Sequence, residues 1–439
     1  MAYKILSLDG GGSWALIQAR VLKDIYGDIS GHEVLHQFNL VIANSGGSLV
    51  LASLCNNMLL SEIISVFEDE NKRKQVFSKL SFWEKLKWRN IASLTNVLGP
   101  KYSTDRKLSG LKNVLSKYDS LITQKKAGKP ILDTYMNELP AIIGKNDLQI
   151  LVAGYDYLRQ RAVFFRSNPA SKTDSFGNGK FYQVSLGDAI HSSSNAPINY
   201  FDSPAAITTS LLGGNDKRKT WFWDGAVSGF NNPVLAGFIE ARTNNPDLPL
   251  SDFKILSLGT GTGGEALIGD YENSTNPAIA SIYNKNKNNK LAITDNRSSF
   301  FADIKKMSTS ILGDPPDSAT FITYAMIDPS LSNKACVVRI NPCLKPILNQ
   351  DTQIYEAPDI YKNDPNGDAD FIAIMDLDMD AVKNDEVDLI KRLCDKFIVN
   401  GSGLCLPNQL IRGDGKGVHL GYDTYKAAKE KWLNSDKEG

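Results

Sequence analysis

One pattern constrains the fold of this chain more than any other: strand, tight glycine turn, helix, written twice within the first 60 residues. A short apolar strand over 3–8 runs into Asp9-Gly10-Gly11-Gly12. Trp14, Leu16, Ile17, Val21, Leu22 and Ile25 then fall at helical spacing up to Gly27. A second apolar strand over 38–43 runs into Asn44-Ser45-Gly46-Gly47 and an apolar helix over 48–60. Continuous apolar strands joined to helices by tight turns are buried on both faces, which predicts an α/β fold around a largely parallel sheet.

Later segments continue the alternation. Strands are expected over 148–155, 162–166, 219–223, 253–258 and 335–340, and helices over 186–193, 233–243 and 377–399. Residues 168–180, 264–292 and 345–370 are polar and loop-like. Composition narrows the function classes. The 49 Lys+Arg balance 49 Asp+Glu, so no global field draws a nucleic-acid polymer to the chain. Five cysteines (55, 336, 343, 394 and 405), without a CxxC pair, read as reduced thiols rather than a disulfide framework or a zinc site. No run approaches 18 apolar residues, and the N-terminus lacks the pattern of a signal peptide. A cytoplasmic protein is expected, with delivery by a signal-peptide-independent route left open.

Three places have the residue types for chemistry. Ser45 sits on a strand-to-helix turn between small residues, Ala43 and Gly47, as in a G-x-S-x-G nucleophile elbow with alanine for the first glycine. The competing reading is a serine N-cap on the helix that follows. Gly10, Gly11 and Gly12 offer backbone N–H groups to an oxyanion. They also fit a relaxed dinucleotide fingerprint, but the second strand ends in Ala43-Asn44-Ser45, without the acid that a ribose needs. Asp224 closes a strand and precedes Gly225-Ala226, either at the carboxyl edge of the sheet or in an ordinary Asp-Gly turn. A serine nucleophile needs a base. The order Ser45, Asp224, His419 would suit a hydrolase triad, although His419 lies in a polar, glycine-rich stretch with no strand before it. Alternatively Asp224 itself takes the proton, its weak basicity raised by burial.

DGGG near the N-terminus, F-x-x-V-I-A-x-S-G-G, and Asp-Gly-Ala at 224–226 together resemble the patatin-like phospholipases. The stretches SSSNAPINYF at 192–201 and ILSLGTG at 255–261 add to the likeness, which runs over roughly residues 3–400. The resemblance implies a three-layer sandwich with a mostly parallel central sheet flanked by helices. It implies a calcium-independent lipid acyl hydrolase without cofactor or metal, acting on phospholipid or lysophospholipid. Ser45 would be the nucleophile, Asp224 the base and Gly10–Gly12 the oxyanion hole. It also implies a catalytic domain over 1–400, with its core at about 3–345, and a C-terminal extension over 401–439 packed on that core. Two departures stand out: Ala43 replaces the elbow's first glycine, and Ser13-Trp14-Ala15 lacks the arginine that often follows DGGG.

Residues 71–98 place Val76, Leu80, Trp83, Leu86, Ile91 and Leu94 near one helical face amid seven Lys and Arg. This is the pattern of a helix packed on the core with a solvated basic face, or of a lid that meets an anionic lipid surface. Such a lid makes peripheral membrane contact expected, and the resemblance leaves room for a small-molecule or protein activator. Asp364-Pro-Asn-Gly-Asp-Ala-Asp370 alternates oxygen ligands like a calcium loop but has its glycine at the wrong position, so it reads as a polar turn. Two other functions stay open: a non-catalytic lipid- or partner-binding member of the same fold, and a triad esterase using His419.

Overall fold

The computed structural model describes residues 2–86, 99–119, 126–173, 179–261, 280, 318–332, 335–344, 346–349, 354–362, 364–375, 377–400, 410–411, 417–418, 420–422 and 424–435. Among the described residues, nine strands form one sheet: β1 Tyr3–Leu8, β2 Leu40–Ala43, β3 Gln149–Asp156, β4 Arg161–Arg166, β5 Tyr182–Gln183, β6 Ala205–Leu211, β7 Lys217–Asp224, β8 Phe253–Leu258 and β9 Val337–Ile340. The five strands β3-β2-β1-β8-β9 are parallel. β4, β7, β6 and β5 continue from β3 as an antiparallel wing. Helices lie on both faces, and the two apolar clusters between helices and sheet are the core. This is the expected α/β sandwich, with an antiparallel extension. β1, β2 and β8 are almost wholly buried, which is why their sequences read as unbroken apolar runs.

The register of β3 positions the site. β4 pairs with residues 151–156 of β3, so β2, paired with 149–152, and β7, paired with 154–156, must share the opposite edge. β2 runs up that edge to Ala43, opposite Val152. β7 runs down it to Asp224, opposite Gly154. Two segments 180 residues apart in sequence therefore end facing one another at the carboxyl side of the parallel strands.

The expected continuous helix within 71–98 is corrected over its described part. A helix spans Glu70–Val76, the chain turns out of helical geometry at Phe77, and a short second helix spans Phe82–Lys85. Phe77 leaves the helix because its ring packs on Tyr102 and Phe201, with centroids 5.3 and 6.3 Å away. Ser81 and Glu84 restart the chain with a capping box. Arg73, assigned from sequence to a solvated face, is buried and donates to Val382 O, Phe67 O and Asn384 Oδ1. Phe82 and Trp83 are 64% and 77% exposed. Residues 87–98 lie outside the described residues.

Two further corrections concern the C-terminal third. The closing helix begins at Asn384, not Leu377, and the stretch read as loop holds a hairpin, Ile347–Asn349 with Ile354–Glu356, and the start of a helix, Gly367–Met375. In the Asp364–Asp370 turn, both end carboxylates are engaged by Lys396, at 2.6 and 3.2 Å. Cys55, Cys336, Cys343 and Cys394 are free thiols among the described residues, and burial pushes Cys55 and Cys394 up to about 12. Among the described residues no helix is long and apolar enough to cross a membrane.

Candidate active site

Ser45 follows β2 through one extended residue, Asn44, and adopts φ +47°, the left-handed region that a serine rarely visits. Such a conformation costs on the order of 1–3 kcal/mol and persists only where the surroundings enforce it. The enforcement is visible. The Ser45 N–H donates to Ser193 Oγ at 2.9 Å, and Ser48 Oγ donates to Ser45 O at 2.5 Å. A methyl group on Gly46 would lie 2.7 Å from Gly12 N, and one on Gly47 would lie 2.6 Å from Asp9 O, so the helix sits directly on the glycine turn. The N-cap reading of Ser45 is corrected: Asn44 holds that position, and its side chain caps nothing. Ala43, in place of the elbow's first glycine, is fully buried at the end of β2 within the core.

Asp224 is buried at the end of β7. Burial raises its pKa above the ordinary value of 3.8, opposed by hydrogen bonds from the Ser45 hydroxyl, the Ala226 N–H and Asn44, and by the charge of Lys107. Ala226 N and Asn44 Nδ2 donate to Oδ1 at 2.9 and 3.0 Å. Asn44 is itself oriented by Ser193 Oγ, which donates to its Oδ1 at 3.3 Å. Ser193 thus holds both the serine's backbone and the amide that holds the aspartate. Among the described histidines, His32 and His36 bond Cys55 O and Ile143 O, and the His191 ring bonds neither Ser45 nor Asp224. His419 lies outside the described residues.

The glycine turn crosses beside Ser45: a methyl group on Gly10 would lie 3.0 Å from Ser45 Cβ. The Gly10 N–H donates to Asn231 O at 2.8 Å and the Ser13 N–H to Met379 O at 3.2 Å. None of the described residues accepts from the N–H of Gly11 or Gly12. Of the three glycines picked out for an oxyanion, two therefore present available donors in this conformation and Gly10 does not. Gly12 needs φ +56°, and Met379 O stands where its side chain would begin. The root of the turn is fixed by a buried ion pair, Arg339 Nη2 to Asp9 Oδ2 at 2.5 Å, and by Gln18 Nε2, which donates to Asp9 O and Leu258 O. Ser45 and Gly12 open on a pocket lined also by Lys107, Tyr200, Met379 and Asp380.

Residues 6–237, just over half of the chain, match the family model of the patatin-like phospholipases. The chain belongs to that family. A similar solved structure is VipD from Legionella pneumophila, 10% identical with a TM-score of 0.32, the likeness covering 90% of this chain and 67% of that one. Among curated proteins, none matches the chain.

Membership accounts for the motifs but not for all of the neighbourhood. Where patatin-like sequences often have an arginine after DGGG, Trp14 here donates from Nε1 to Asp378 O at 3.1 Å, tying the turn to residues 378–380. Sequence reasoning quoted Ser193 only as part of a small-residue stretch and missed Asn44, Lys107 and Asp380. Asn44 could have been found as the polar residue inside the elbow itself. Lys107 and Asp380 carry no local signal, because only the tertiary fold brings them to the pocket.

Proposed function

We propose that this chain is a patatin-like lipid acyl hydrolase that cleaves fatty-acyl esters of phospholipids or lysophospholipids through Ser45 and Asp224. One observation carries the reading: Ser45 lies in the left-handed turn beside the buried Asp224, whose carboxylate its hydroxyl favours, next to the N–H groups of Gly11 and Gly12, from which none of the described residues accepts. Ser45 attacks the ester carbonyl while Asp224 accepts its proton. Gly11 and Gly12 donate to the oxyanion, and removal of one such donor typically costs about 10²–10³ in rate. Protonated Asp224 then gives its proton to the leaving alkoxide. The same carboxylate activates the water that releases the fatty acid. Base and donors all come from the chain, so the scheme asks nothing of calcium or a cofactor.

The substrate class is supported by the walls. An apolar cavity bounded by Leu49, Val66, Phe67, Val114 and Leu115 begins behind Gly12 and suits an acyl chain. The exposed Phe82 and Trp83, flanked by Lys79 and Lys85, suit contact with an anionic lipid surface.

The test is labelling with a fluorophosphonate, followed by peptide mapping, with and without anionic liposomes. Wild type and His419→Ala should carry the adduct on Ser45; Ser45→Ala and Asp224→Asn should lose both adduct and phospholipid hydrolysis by at least about 10³-fold. Loss in His419→Ala would replace the dyad by a triad. Labelling of no variant under either condition would leave a binding member of the fold.

A further inference from the structure

Lys107 lies on the wall of the Ser45 pocket, fully buried, and the scheme above does not use it. It belongs to the helix Thr104–Leu115. Its Nζ lies 2.8 Å from His191 O, 3.0 Å from Asn195 Oδ1 and 3.3 Å from Ser194 Oγ. Each of these oxygens can only accept. His191 offers a carbonyl. The Asn195 amide is oriented by its Nδ2, which donates to Ser203 O at 2.8 Å. The Ser194 hydroxyl proton goes to Ile190 O at 2.7 Å. Three acceptors require three N–H donors, and only the ammonium form of lysine has three. The Phe201 ring, with its centroid 4.3 Å from Nζ, also favours a cation. Burial pulls the other way, lowering the Lys107 pKa well below 10.5, while the charge of Asp224 opposes it. A neutral amine would aim its lone pair at an oxygen, so we assign the ammonium.

The three oxygens belong to one short stretch, residues 191–195, and that stretch holds both candidate catalytic residues. Ser193 Oγ accepts the Ser45 N–H, and Asn195 O accepts the Asp224 N–H at 3.1 Å. We propose that Lys107 is a positioning residue for the Ser45–Asp224 pair: its ammonium locks residues 191–195 in the arrangement that anchors both. The charge of Lys107 also favours the ionised form of Asp224. The proposal rests on the reading of Ser45 and Asp224 given above. Other charged groups around the pocket are committed elsewhere. Asp380, on the same wall, is held by Tyr102 and Lys101. Arg73, from the neighbouring helix, is bound to main-chain oxygens and Asn384. Burial and Lys107 depress His191, which stays neutral.

The test follows Asp224 directly, by 13C NMR of protein labelled at the aspartate carboxyl carbon, the Asp224 resonance being identified by its absence in Asp224→Asn. In Lys107→Met and Lys107→Gln the Asp224 titration should move to higher pH. Hydrolysis near pH 7 should fall at least about tenfold in kcat with KM nearly unchanged, and part of the loss should return as the pH rises. An unmoved Asp224 titration, or a loss of activity that no pH restores, would overturn the electrostatic role. In wild type, 15N spectra of labelled lysine should show a slowly exchanging, buried ammonium; a buried neutral amine at pH 7 would overturn the assignment even if neither variant folds. Wild type that does not hydrolyse lipid would sink the functional reading alone, because the Asp224 titration decides the lysine without it.

Discussion

In the proposed dyad, Asp224 must meet two demands that pull apart. It is buried beside Ser45, and burial raises its pKa; as the base it must also be ionised to accept a proton. The donors from Asn44 and Ala226 and the charge of Lys107 limit the rise. The result is a base stronger than a solvated carboxylate, which suits a serine nucleophile. Two pH effects follow. The acid limb of kcat/KM should lie above 3.8, since activity needs the ionised form. Stability should move oppositely. A carboxyl with a raised folded pKa holds its proton more tightly when folded. Its contribution is therefore full below the unfolded value and is lost as pH rises through the folded one. Asp224→Asn lacks this titration. Its Tm minus that of wild type should grow more positive as pH rises from about 4 across that window. A flat difference would mean that the carboxyl titrates alike in both states.

At the scale of elements, the site is a consequence of strands that end together. β2 and β7 meet along one edge of β3, and β1 delivers the glycine turn beside them. The turn is held from below by β9: Arg339 reaches across Ser257, donating to its Oγ at 2.9 Å, to the Asp9 carboxylate. Both partners are almost fully buried, so removing one leaves a charge without its counter-ion, typically a loss of about 3–5 kcal/mol. Arg339→Met should therefore unfold at much lower denaturant, and Asp9→Asn added to it should recover part of the loss. A loss as large in the double variant would place the cost in packing instead. These elements also divide what was legible in the sequence from what was not. Both strand–turn–helix units could be read because their signal is local: apolar runs, glycines, then helical spacing. Asp224 could be placed at a strand end but not opposite Ser45, because pairing with β3 is set by register between distant segments. The basic stripe at 71–98 misled for the same reason. Phe77 obeys Tyr102 and Phe201 rather than the helical period, and Arg73 is buried by partners more than 300 residues away as well as by Phe67. Lys107 looked like any helical lysine until the fold supplied its three acceptors.

The molecule has its candidate active site and the packing of its last described helix at opposite ends of the sheet. Ser45, Asp224 and the glycine turn stand at the carboxyl ends of the parallel strands. At the amino ends, the helix Tyr425–Asn434 covers the starts of β1, β2 and β8. Trp432 stacks on Phe38, just before β2, with centroids 5.8 Å apart and planes 14° from parallel, and it donates from Nε1 to Tyr26 Oη at 2.8 Å. Lys4 of β1 lies 5.7 Å from its ring, and Lys254 of β8 donates to Ser435 O. Lys429 pairs with Asp24 at 2.7 Å, at the end of the first helix. Trp432 is 4% exposed, so truncation leaves a cavity against Phe38 and removes the hydrogen bond to Tyr26. Losses for buried Trp→Ala run to about 3–5 kcal/mol. Six residues of β1, at roughly 3.3 Å each, put about 20 Å between that cavity and the glycine turn. Trp432→Ala should therefore shift the denaturation midpoint strongly while leaving kcat and Ser45 labelling of the folded protein unchanged. A fall in kcat without loss of folded protein would show that the two ends of the sheet are coupled, and that packing at the amino ends of the strands sets the geometry of the turn at their carboxyl ends.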